Sequence, residues 1–87
     1  MRYLQIIDEI KGLKNEPTHK SVMDICRMLE NNKRQFLDKL DPENFKQVYT
    51  NFENLSQSQA RDYDTPGYIR EYETAHHLFS FYFDRIL

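Results

Sequence analysis

Residues 41–55 read Asp41-Pro42-Glu43-Asn44-Phe45-Lys46-Gln47-Val48-Tyr49-Thr50-Asn51-Phe52-Glu53-Asn54-Leu55, and this stretch decides the fold class. Asp41 can accept hydrogen bonds from the first free amides of a helix. Pro42 has no N–H to leave unsatisfied at the first helical position, and Glu43 complements the positive end of the helix dipole. Behind this start signal Phe45, Val48, Tyr49, Phe52 and Leu55 form one face of a helix with a 3.6-residue period. The end of that helix is weakly marked, because Ser56-Gln57-Ser58-Gln59 is polar but holds no glycine or proline. The pattern predicts that it runs on to about Arg61.

The same periodicity extends in both directions. Towards the N-terminus, Val22, Ile25, Cys26 and Leu29 make a clean stripe that Phe36, Leu37 and Leu40 resume. Asn31-Asn32-Lys33-Arg34 puts polar residues where the stripe should pass, so residues 19–40 are one long helix with a polar waist or two helices bent at the asparagines. The single helix is the reading favoured here. Thr18 or Ser21 is its N-cap, the latter forming a weak capping box with Asp24. Further upstream Tyr3, Ile6, Ile7, Ile10 and Leu13 mark another amphipathic helix. Pro17 disfavours helical geometry at Glu16, which ends that helix near Lys14 or Asn15. Downstream, Asp62-Tyr63-Asp64 leads to a second start signal, Thr65 as N-cap and Pro66 as first helical residue.

These segments predict an all-α fold, a small antiparallel helical bundle of about four helices spanning 2–14, 19–40, 42–61 and 66–87. The chain, residues 1–87, is read as a single helical domain, since no linker is long enough to separate two. The expected core is Ile6, Ile7, Ile10, Val22, Ile25, Leu29, Phe36, Leu40, Phe45, Val48, Phe52, Tyr72, Phe79 and Phe83.

The composition narrows the function classes. The 87 residues carry 12 basic and 14 acidic side chains, a net charge of -2, so gross basicity gives no support to nucleic-acid binding. Six Phe and six Tyr supply the core that a disordered chain lacks. The N-terminus has no uninterrupted apolar run of the kind a secretory signal needs, and no stretch approaches the ~18 apolar residues of a membrane span. Cys26 is the single cysteine, which excludes an internal disulfide and a multi-cysteine zinc site. A cytoplasmic setting with no membrane partner is the simplest expectation.

The last ten residues, 78–87, hold seven apolar or aromatic side chains. At 100° per residue Leu78, Phe79, Phe81, Tyr82, Phe83, Ile86 and Leu87 cover roughly 240° of the helix, whereas one packed face needs only somewhat more than about 100°. This helix is therefore central, self-associating, or in contact with another molecule.

No motif points to catalysis. Cys26 lies in line with Val22, Ile25 and Leu29 and reads as a small buried hydrophobe rather than a nucleophile. Glu73 and His76 have the i,i+3 spacing of carboxylate-bridged metal bundles, but the second such motif those sites require is missing, and His76 shares a face with Tyr72 and Phe79. His77 lies about 100° away from His76, and at an interface the pair could respond to pH. Asp62 and Asp64 lack the glycine and distal glutamate of a calcium loop, and Gly12 and Gly67 are too isolated to cradle a phosphate. No metal and no cofactor is expected, and the chain is read as a non-enzyme.

The stripe through Leu29, Phe36, Leu37 and Leu40, the aromatic third helix with Phe45, Tyr49 and Phe52, and the aromatic last helix resemble the layout of small uncharacterised all-helical proteins of low-GC bacteria and their phages or mobile elements. The resemblance implies an inhibitor, an immunity-type protein or a regulator, and it assigns no functional residue.

The expected function is accordingly a non-enzymatic protein-binding module. It would occlude a partner protein through the aromatic C-terminal helix, with Leu78, Phe81, Tyr82, Leu87 and His77 as contacts. Residues 61–87 carry three basic and five acidic side chains while residues 1–60 balance at nine and nine, so the partner would be mildly basic. Two alternatives remain. One is a helix-turn-helix-like DNA-binding regulator using Lys33, Arg34 and Gln35, disfavoured by the scattered basic residues. The other is a structural homodimer or assembly protein in which the aromatic helix covers its own copy.

Overall fold

The computed structural model describes residues 2–57 and 66–83, with side chains from Leu4 onward. Its helices are α1 (Arg2–Gly12), α2 (His19–Asn31), α3 (Lys33–Leu37), α4 (Pro42–Ser56) and α5 (Pro66–Phe83). The described residues contain no strand, and the fold is all-α as the periodicity predicts.

The start signals act as read. The Asp41 carboxylate accepts from the Glu43 amide at 2.9 Å, with Pro42 opening α4. Of the two possible caps for α2, Thr18 is the one used. Its Oγ1 accepts from the Ser21 amide at 3.1 Å, and the helix begins at His19. Thr65 and the 62–64 turn lie outside the described residues.

The end of α1 falls short of its expected position because hydrogen bonds change partner. After Gly12 the Leu13 and Lys14 amides turn to the carbonyls three residues back, Ile10 and Lys11. This tightens the chain out of the α-helix before Pro17 is reached. At the end of α4 the Ser56 hydroxyl donates to the Glu53 carbonyl at 2.6 Å, and the Gln57 amide shares that acceptor. Side-chain back-bonding of this kind competes with continued helix; α4 is described to Ser56, and the expected run on to Arg61 lies outside the described residues from residue 58.

The favoured single helix over 19–40 is not formed. Asn32 has φ -118° and ψ 19°, its backbone N–H turns to the Glu30 carbonyl, and its side-chain Nδ2 donates to the Met28 carbonyl at 2.8 Å. The side chain thus occupies the acceptor that the Asn32 amide would have used in a continuous helix. The five residues of α3 then carry Phe36 into the interior, where its ring lies 6.1 Å from Phe45 and 5.0 Å from Phe83. The expected bundle of about four helices therefore has five among the described residues.

Cross-helix contacts set the directions. The Tyr49 hydroxyl donates to Glu30 at 3.4 Å, and Cys26 feels the charge of Glu53, so α2 and α4 run antiparallel. The Tyr82 hydroxyl donates to Gln47 Oε1 at 2.9 Å while Phe52 meets Tyr72 and His76 edge-on, so α4 and α5 are antiparallel as well. α4 lies between α2 and α5, and α1 closes against α5. Side chains from all five helices join one apolar cluster, which holds every residue expected in the core and adds Cys26, Leu55, Tyr68 and Ala75.

Candidate functional site

α5 carries two features not used up by packing. Its inward face consists of Tyr68, Tyr72, Ala75, His76, Phe79 and Phe83, all buried. Leu78 and Tyr82 extend that face and are half-buried against the core. The wide apolar arc of the sequence is thus largely absorbed inside the molecule, because α5 packs against α4 and also meets α1. Phe81, at one edge of the arc, lies nearly opposite the core and is 53% exposed. Its ring lies 5.2 Å from that of Tyr82, edge-on. His77 is exposed near it.

The expected contact residues therefore divide. Leu78, Phe81 and Tyr82 form one strip on the outer flank of α5, with Phe81 standing proud. Tyr82 is tied by its hydroxyl to Gln47, so its first role is to clamp α5 to α4. Leu87 lies outside the described residues.

On the opposite flank of α5 a groove of about 330 Å³ opens beneath the α1–α2 connection. Tyr72 builds the corner: its hydroxyl donates to the Leu13 carbonyl at 2.6 Å and fixes the end of α1 on α5. Burial pushes the Tyr72 phenol well above its ordinary range. Lys14, Asn15 and Pro17 form one wall of the groove, and Ile69, Glu73, His76, His77 and Ser80 belong to the other.

His76 is the unusual member. It is 4% exposed, with its ring edge-on to Tyr72 at 4.6 Å and to Phe52 at 5.3 Å. Its Nε2 is buried without a hydrogen-bond partner. Burial, reinforced by the charges of Lys14 and His77, lowers its pKa to about 4, so the ring is neutral at physiological pH. Among the described residues no group of three or more His, Cys, Asp or Glu side chains is placed to hold a metal ion. The Glu73–His76 spacing thus gathers no further ligands there.

Cys26 is buried and its thiol is pushed up to about 11, first by burial and then by Glu53 and Glu30. A thiol so disfavoured from ionising is a poor nucleophile. Lys33 and Arg34 are exposed and Gln35 is half-buried. They stand on a helix about 7.5 Å long at 1.5 Å per residue, and Glu30 and Asp38 share a shallow hollow with the two cations. The mixed charge and short helix make a poor major-groove reader. Among the described residues no helix is long and apolar enough to cross a membrane.

Sequence reasoning placed His76 at the edge of the core but missed the groove beside it. The break at residues 15–17 was visible, but nothing local says that the turn lies over α5, some sixty residues further along the chain. Comparison with protein-family models, curated proteins and solved structures finds no match for the chain.

Proposed function

We propose that this chain is a non-enzymatic protein-binding module, an inhibitor, immunity-type or regulatory protein that occludes a partner through the outer flank of its C-terminal helix. The observation that carries this reading is Phe81, a large aromatic ring 53% exposed on a helix whose inner face is fixed by packing. Buried aromatic anchors dominate binding energy at protein interfaces, and a rigid helix presents one at low entropic cost. Leu78 and Tyr82 extend the apolar contact on one side, and His77 supplies a polar rim. The acidic excess of residues 61–87 favours a mildly basic partner, and the cytoplasm is the setting in which a single unpaired thiol is at home.

The test compares the wild-type chain with Phe81→Ser, a change that leaves the core untouched. A specific protein captured by the wild type and lost with the variant, at unchanged helicity, supports the reading. Equal capture by both removes Phe81 from the interface. A concentration-dependent dimer of about 21 kDa, twice 10.6 kDa, that Phe81→Ser dissolves would assign the strip to self-association instead.

A further inference from the structure

We propose that the groove between the 14–17 corner and α5 is a binding site for a small organic carboxylate with an apolar body. The site lies on the other flank of α5 from Phe81 and does not rest on the protein-binding reading, although His77, a rim contact of that reading, also borders it. Its volume, about 330 Å³, lies at the lower end of the range for small-molecule sites. Pro17, Ile69 and the Tyr72 ring supply carbon walls. The groups around them that can donate are the Lys14 ammonium, the Asn15 amide and the Ser80 hydroxyl, with His77 and the carboxylate of Glu73 also on the wall.

His76 gives the site its second, independent mark. A side chain 96% buried (4% exposed) lines this groove while its Nε2 has no partner in the protein. Buried polar atoms in folded proteins are nearly always satisfied, and an exception calls for an explanation. A neutral imidazole can carry its proton on Nε2 and donate to an oxygen brought in from outside. The Tyr72 hydroxyl does not compete for that oxygen, since it is committed to the Leu13 carbonyl.

The sign of the ligand follows from the same residues. A carboxylate meets Lys14 together with neutral donors. An ammonium would face Lys14, whose charge reaches the His76 ring, and would meet the carboxylate of Glu73, exposed like Lys14 and screened by solvent to the same degree. A neutral ligand of the same shape would use the carbon walls but leave Lys14 unanswered.

The test uses the whole chain labelled with ¹⁵N in its histidine rings, titrated with phenylacetate, 2-phenylethylamine and 2-phenylethanol. Phenylacetate is expected to shift the His76 ring signals saturably, with a dissociation constant in the millimolar range. The amine and the alcohol should bind several-fold more weakly. Lys14→Met, at an exposed position, should weaken phenylacetate roughly fivefold, and Glu73→Gln should leave it equal or tighter. Absence of a saturable His76 response up to about 20 mM ligand overturns the proposal. So does binding of the amine or alcohol as tight as that of the acid, or an unchanged affinity in Lys14→Met.

Discussion

The two ends of α5 solve the same packing problem with different chemistry. Towards its C-terminal end Phe79 meets Phe83, Phe83 meets Phe36 and Phe36 meets Phe45, with ring centroids between 4.3 and 6.1 Å apart. All four rings are buried, and none carries a polar atom. Towards its N-terminal half Tyr72 and His76 meet Phe52, and here each turn of α5 brings a polar atom inward. One is satisfied by the Leu13 carbonyl and one is not satisfied at all. The carbon end is a stability device. The polar end spends stability to fix the 14–17 corner and to leave an imidazole beside a groove, and sites that break packing rules in this way are where function is to be sought.

The comparison breaks most visibly at the carbon end. Phe36→Ala removes the ring on which α3 depends and should cost about 3–5 kcal/mol, read as a shift in the urea midpoint. Retention of nearly full stability would mean that α3 does not anchor the aromatic stack. At the polar end Tyr72→Phe keeps the ring but leaves the Leu13 carbonyl with the Glu16 amide as its remaining donor. The expected loss is about 1–2 kcal/mol, accompanied by faster amide exchange around residues 13–18.

His76→Phe sharpens the comparison, because it converts the polar end towards the carbon type. At neutral pH the change should be within about 1 kcal/mol of zero, since an unpartnered polar group is replaced by a ring. The pH dependence is more informative. His76 has a folded pKa of about 4 against an ordinary 6.5. Between those values the unfolded chain binds the proton more readily, so stability falls as pH drops through this window and is fully present above 6.5. The acid-side loss should be smaller in His76→Phe than in the wild type, read from thermal midpoints at pH 7, 5.5 and 4.5. Phe81→Ser should have the smallest effect on stability, within about 0.5 kcal/mol, because the ring is 53% exposed and is not part of the buried apolar cluster.

Much of this was legible in the sequence. The Asp41-Pro42 start, the Thr18 cap and the apolar stripes depend on neighbours within one or two turns, and local rules read such signals well. Every expected core position is buried for the same reason. The failures share a different cause. Whether residues 19–40 bend at Asn32 turns on a side-chain amide competing for the Met28 carbonyl, and on Phe36 finding its place between α4 and α5. The width of the apolar arc on α5 was real, but whether Leu78 and Tyr82 faced a partner or α4 depended on where α4 lay. The groove is the extreme case, since its walls come from residues 14–17 and 69–80 and meet only in the folded chain.

The central claim is that α5 holds a neutral, buried imidazole at its polar end. The most direct measurement is the NMR titration of the His76 ring in the intact protein, with exposed His77 as the internal comparison. The account predicts a midpoint for His76 near 4, well below the ordinary histidine value. A midpoint at 6.5 or above would show that His76 is solvated or paired with an acid, and would contradict the contrast between the two ends of the helix.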